Sequence, residues 1–233
     1  MIQPNDMTAD ALATALATTG ASRAALLRAA AEGGAVEAQL LLGQTLLDDG
    51  AAREALRWFS AAAKAGHPMG MNMVGRCLEH GWGAPADKTA AAAWYEAAAA
   101  RGLDWGLYNL ATLLALGNGV TRDLNRALAL FRRAAAKGHA KSMNMVGSFY
   151  EDGWAVAPDR AVAALWYERA AAGGDFRGRF NHARSLIDAG RLDDAIIWLR
   201  RVPETATPRF LGQVRDWLGR RDEPTLRNLA LDL

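Results

Sequence analysis

The sequence predicts an all-α fold, a right-handed α-α superhelix of about five helix-turn-helix repeats with a helical cap at each end. Three observations predict it. Met71-Asn72-Met73-Val74-Gly75 returns as Met143-Asn144-Met145-Val146-Gly147, and Trp94-Tyr95-Glu96 returns as Trp166-Tyr167-Glu168, each 72 positions later. Leu110-Ala111, Leu130-Phe131 and Ala134-Ala135 stand midway between the matched segments, which sets the period at 36. Hydrophobic residues make up 51% of the chain and alanine is prominent among them, a composition that favours packed helices over strands. A unit of this size cannot bury its apolar face alone and stacks on its neighbours.

Stacking makes one continuous domain the expectation, with an N-terminal cap at 7–34, repeats at 35–67, 68–103, 104–139, 140–175 and 176–202, and a C-terminal cap at 203–233. The first helix of each repeat, helix A, carries a stripe at i, i+3, i+4 and i+7. The stripes are Gln39, Leu42, Gly43 and Leu46; Met71, Val74, Gly75 and Leu78; Leu107, Leu110, Ala111 and Leu114; and Met143, Val146, Gly147 and Tyr150. The second helix, B, repeats a small-large-large-small pattern, as in Ala55-Trp58-Phe59-Ala62 and Ala163-Trp166-Tyr167-Ala170. Trp58, Trp94, Trp166 and Trp198 form a column there and are expected in the core. Arg179 and His182 stand where earlier repeats have apolar stripe residues, so the fifth repeat is expected to meet the C-terminal helices differently.

Glycines punctuate the helix ends, Gly81, Gly117 and Gly153 after helix A and Gly66, Gly102 and Gly138 after helix B. Asp87, Asp123 and Asp159 precede helix B at 36-residue intervals, where a carboxylate can cap free N–H groups. The central repeats have longer A–B turns than the first and last. Trp82 and Trp154 occupy equivalent places in those turns and are expected to pack over them, the alternative being a second interaction edge.

With this register set, the chain resembles the Sel-one-like repeat family, a relative of the tetratricopeptide repeats. Leu110-Ala111, Gly117-Asn118-Gly119-Val120, Asp123, Arg126-Ala127, Leu130-Phe131, Ala134-Ala135 and Gly138 fall in the order of the family pattern, and the flanking repeats fit equally closely. The resemblance implies a superhelical scaffold for other proteins, with A helices lining the concave wall and no catalytic residues common to the family. Secreted relatives with a cysteine pair in each unit differ from this chain, whose only cysteine is Cys77.

On that wall, the face of helix A opposite the stripe presents Met69, Asn72, Arg76 and Glu79, then Trp105, Tyr108 and Thr112, then Lys141, Asn144, Ser148 and Glu151, then Arg177, Phe180 and Arg184. These are the candidate partner-binding residues. An asparagine amide can both donate to and accept from a peptide unit, Arg and Lys can take a carboxylate, and exposed Trp and Tyr offer large contact area at low entropy cost.

Other functions find little support. No His-Glu-x-x-His, Gly-x-Ser-x-Gly or phosphate-binding loop is present, so no enzyme activity, metal or cofactor is expected. His67 and His139 are equivalent repeat positions, and Cys77 fits a buried small hydrophobe. Residues 1–116 hold 8 basic against 11 acidic side chains, and residues 117–233 hold 19 against 14. The basic side chains of the second half are interleaved with acids, which leaves nucleic acid or another acidic ligand only a remote alternative. The first twenty residues lack the pattern of a secretory signal and no apolar run is long enough for membrane insertion, so a cytoplasmic location is expected. The expectation is an adaptor that binds a peptide segment or small domain of another protein, with the monomer favoured; the alternative is a structural subunit of a homo-oligomer.

Overall fold

The computed structural model describes residues 21–233. Among the described residues there are α-helices, one short 3-10 turn and no strand. They fall into two compact units that divide between Asp123 and Leu124.

In the first unit the helices are α1 (Ala21–Glu32), α2 (Val36–Asp48), α3 (Ala52–Lys64), α4 (Pro68–His80), α5 (Lys88–Ala100) and α6 (Asp104–Leu116). Each packs on the next, and α4 also touches α6, so successive A helices lie side by side. The expected N-terminal cap at 7–34 contains α1; residues 7–20 lie outside the described residues. The second unit contains α7 (Leu124–Ala136), α8 (Ala140–Asp152), α9 (Arg160–Ala172), α10 (Phe176–Asp188) and α11 (Leu192–Arg200), then the turn Val202–Glu204, α12 (Pro208–Gly219) and α13 (Pro224–Asp232). Here α8 touches α10 in the same A-to-A manner.

Small residues set these contacts. A Cβ added at Gly75 would lie 2.6 Å from the Tyr95 ring, and one added at Gly147 would lie 2.5 Å from the Tyr167 ring. Glycine at these two places lets the Tyr95 and Tyr167 rings approach helix A this closely. Gly70, Gly106 and Gly178 play a second part, because a Cβ there would meet the backbone of the preceding B helix at 2.6–2.9 Å. The fourth equivalent position is Ser142, fully buried, with Oγ 2.8 Å from His139 Nδ1. His139 and His67 cap their A helices, accepting from the backbone N–H groups of Ser142 and Met69.

Asp87 and Asp159 cap their B helices as expected, accepting from Ala90 and Val162 at 2.8 and 3.0 Å. The turns after α4, α6 and α8 are the longer ones. Gly83 and Gly119 have φ of +78° and +77° there, and a Cβ at either would strike backbone within 2.6 Å. Ala155, at the corresponding place in the second unit, adopts φ 60°.

Two core assignments are corrected. The tryptophan column is only half-buried, and the fully buried rings are those one residue later, Phe59, Tyr95, Phe131 and Tyr167. The B helices are turned so that this second aromatic covers helix A, while the indoles sit at the margin with Arg169 over Trp166 and Arg201 over Trp198, each at 4.9 Å. In α8 the buried ring is Phe149 and not Tyr150. Tyr150 keeps its hydroxyl at the surface, where it accepts from Arg132 at 2.6 Å.

At the C-terminus, α12 and α13 add Val214, Leu218, Leu226 and Leu229 to a core begun by Phe176, Ala183, Leu186 and Leu199. Arg179 is buried, donates to the Arg201 carbonyl and pairs with Glu204 at 2.9 Å. A guanidinium at a stripe position thus ties α10 to the turn after α11. His182 is also buried, edge-on to Trp198 with ring centroids 5.3 Å apart.

Candidate interaction surface

The A-helix face of the first unit is built by α4 and α6. Asn109 donates its side-chain amide to Asn72 Oδ1 at 2.9 Å. Asn72 is only 3% exposed, and its own amide donates to the Met69 sulfur at 3.9 Å. The expectation that Asn72 lies open on the face is therefore corrected: it is an inter-repeat strut, because burial leaves its carbonyl oxygen no water to bond with. Asn109 is half-buried and keeps its own Oδ1 without a donor among the described residues.

Around this pair the face is aromatic and polar. Trp105 is 37% exposed and meets Tyr108 edge-on at 6.1 Å. Thr112 bonds back to the Tyr108 carbonyl at 2.9 Å, and Met69 is half-buried. The Arg76 guanidinium lies 5.2 Å above the Trp82 ring. Glu79 accepts the Tyr95 hydroxyl at 2.6 Å. Burial, with this carboxylate next, pushes the Tyr95 phenol far above its ordinary range, so the group stays a neutral donor.

The second unit repeats the strut. Asn181 donates to Asn144 Oδ1 at 2.9 Å, and Asn144 is 5% exposed, so the same correction applies. Here the neighbours satisfy one another. Arg184 donates to Asn181 at 3.1 Å and to Glu151 at 2.7 Å; Tyr167 donates to Glu151 at 2.6 Å, and Ser148 bonds back to the Asn144 carbonyl. Lys141 is half-buried. Phe180 is covered by the rings of Phe210 and Trp217 from α12, with centroids 5.7 and 5.2 Å away, and Arg177 lies over Phe176 and Phe210. In sequence order α12 follows as the next A helix, so Phe180 meets a helix of its own chain where an open face was expected.

Asn109 and Asn181, which complete the struts, were not among the candidate residues. The signal that finds them is the 37-residue spacing of Asn72 to Asn109 and of Asn144 to Asn181, one more than the period. Trp82 packs against His80 at 4.7 Å and Trp154 against Phe149 at 5.5 Å, so both fasten turns. Cys77 is buried and its thiol is pushed up to about 11 by burial. No group of three or more metal-ligating side chains exists among the described residues, and no helix among them is long and apolar enough to cross a membrane.

Alternating A and B helices, glycine-seated rings and A-to-A contacts define an α-α repeat protein of the tetratricopeptide-like class. Within that class the chain belongs to the Sel1 repeat family, whose model matches residues 36–67, 68–103, 106–139 and 140–175. Among solved structures it is similar to a Sel1 repeat protein from Oxalobacter formigenes, at 22% identity and a TM-score of 0.71, over 84% of this chain and 86% of that one. It is also similar to c5321, a protective antigen of uropathogenic Escherichia coli strains with an SLR fold, at 25% identity and a TM-score of 0.68. That match covers 92% of this chain but only 48% of c5321, so the chain spans about half its length. The immunity protein Pa5087 from Pseudomonas aeruginosa shares the fold at 15% identity and a TM-score of 0.58, over 84% and 80% of the two chains. No curated protein matches the chain by sequence. Proteins of the Sel1 repeat family generally mediate protein–protein interactions.

Proposed function

We propose that the chain is a protein-interaction adaptor and that its receiving surface is the A-helix face of the first unit, which takes an extended segment of a partner protein. The supporting observation is the difference between the two units. In the second, Glu151, Arg184, Asn181 and Tyr167 bond to one another and Phe180 is covered by α12. In the first, the strut leaves Asn109 Oδ1 available beside Trp105, the one residue of the face that is exposed. A carbonyl acceptor next to a half-fixed aromatic suits a peptide: the oxygen takes a backbone N–H and the indole covers a side chain at low entropy cost. Asn72 sets the spacing of α4 and α6 through its bond to Asn109 and does not touch the partner segment.

Affinity capture from the native cell, followed by proteolysis of the complex, identifies the partner and its protected segment. Trp105→Ala is expected to weaken binding by at least about 2 kcal/mol as the central anchor, and Asn109→Ala by about 1–3 kcal/mol. Unchanged binding by both, with loss on mutating Trp82 or Trp154, moves the working surface to the turn edge.

A further inference from the structure

The residue before the paired large side chains of helix B, Trp58-Phe59, Trp94-Tyr95 and Leu130-Phe131, is Arg57, Ala93 and Ala129 in the first three repeats, all exposed and none a large hydrophobe. In the next two it becomes Leu165 and Ile197, which are 56% and 59% exposed. Both line a pocket of about 330 Å³ formed by α9, α10 and α11, within the size range of ligand sites. Its lining includes Trp198 and His182, and His182 is 9% exposed with Nδ1 buried and unpartnered. Three charged side chains also line it. Arg191 and Asp194 pair with each other at 2.7 Å, whereas the Glu168 carboxylate has no cation partner among the described residues. The pocket therefore joins an exposed aliphatic lip to one uncompensated negative charge.

We propose that this B-helix pocket is a second docking site, separate from the A-helix face, for a partner segment in which a Lys or Arg side chain is flanked by aliphatic residues. The aliphatic side chains cover Leu165 and Ile197, and the cation sits against Glu168. Two large apolar side chains are held in water at matched positions of consecutive B helices, α9 and α11, and a segment that covers both removes that cost. The lone carboxylate makes the occupant cationic, since an anion there gains nothing from the Arg191–Asp194 pair and is repelled by Glu168.

The test uses two capped pentapeptides, Gly-Leu-Lys-Ile-Gly and Gly-Leu-Glu-Ile-Gly, titrated into the full chain. The Leu165 and Ile197 methyls, the Trp198 indole and the His182 ring are followed by NMR. The lysine peptide is expected to shift these signals saturably and to bind about three- to tenfold more tightly than the glutamate peptide, the scale of one rim ion pair gained in one case and one repulsion added in the other. It also moves the His182 titration to lower pH, because the groups that face this imidazole are Glu168, which favours its proton, and Arg191, which opposes it; a bound cation cancels the first. Glu168→Gln abolishes the preference for lysine, and Leu165→Ala or Ile197→Ala weakens both peptides without unfolding the chain, since both sites are more than half exposed. Equal binding of the two peptides, a preference that survives Glu168→Gln, or no saturable shift overturns the proposal. So does concentration-dependent broadening of the Leu165 and Ile197 signals without peptide, which assigns the lip to a second copy of this chain.

Discussion

Asn109 and Asn72 face each other across two successive A helices, amide to carbonyl at 2.9 Å, and Asn181 and Asn144 repeat the contact at the same distance. A neutral hydrogen bond of this kind contributes modestly when made and costs more when half-broken. Asn109→Ala strands the buried Asn72 carbonyl and should cost about 1–3 kcal/mol, whereas Asn72→Leu combined with Asn109→Leu should be close to neutral. Urea unfolding of the two single alanine variants and the double alanine variant gives the coupling directly. A coupling energy below about 0.5 kcal/mol shows that the pair does not hold the helices in register.

Phe59, Tyr95 and Tyr167, and not the tryptophan before each, fill the space above Gly43, Gly75 and Gly147 of helix A. Tyr167→Ala should therefore cost about 3–5 kcal/mol, and Trp166→Ala, at the margin under Arg169, less than about 2 kcal/mol. Reversed magnitudes in thermal or denaturant unfolding show that the B helices are rotated otherwise.

Burial of His182 in the second unit predicts a pH effect. Desolvation holds this imidazole below its ordinary value of 6.5, with Arg191 lowering it further and Glu168 opposing. The unfolded chain then takes up the proton first, so the contribution is complete above about pH 6.5 and is lost as pH falls through the lowered folded value. His182→Leu restores the apolar residue that Val74, Leu110 and Val146 supply in earlier repeats and removes this dependence. Unfolding midpoints of parent and variant between about pH 5 and pH 7.5 should diverge toward the acid end; Asp175, buried in both proteins with its carboxyl held high, cancels in the difference. Parallel curves contradict the assignment.

Residues 207–233 supply Val214, Leu218, Leu226 and Leu229 to the C-terminal core. A chain ending at 206 exposes Leu186 and Leu199 and should aggregate or lose helicity on gel filtration and circular dichroism. A soluble, fully helical truncation shows that α12 and α13 are an appendage.

The repeat period, the caps and the glycine positions were legible because each is a local signal repeated every 36 residues. The facing of individual side chains was not. A 3.6-residue turn places two adjacent aromatics about 100° apart, so Trp-Tyr and Phe-Tyr pairs leave open which ring is buried; for the Trp-Tyr pairs the close approach over Gly75 and Gly147 decides it. Asn72 and Asn144 read as open-face residues because they lie off the stripe of helix A, and the partners that bond to them, Asn109 and Asn181, lie in another repeat. The covering of Phe180 by Phe210 and Trp217 depends on α12, whose sequence departs from the period.

The receiving surface is tested most directly by photo-crosslinking in the native cell. A photoreactive phenylalanine analogue is placed singly at Tyr108 or Thr112 on the A-helix face of the first unit, at the exposed Ala93 on a B helix, and at Trp82 in the turn. Discrete adducts with one protein at Tyr108 and Thr112, and none at Ala93 or Trp82, are the predicted result. Adducts at Ala93 or Trp82 with none on the A-helix face contradict it.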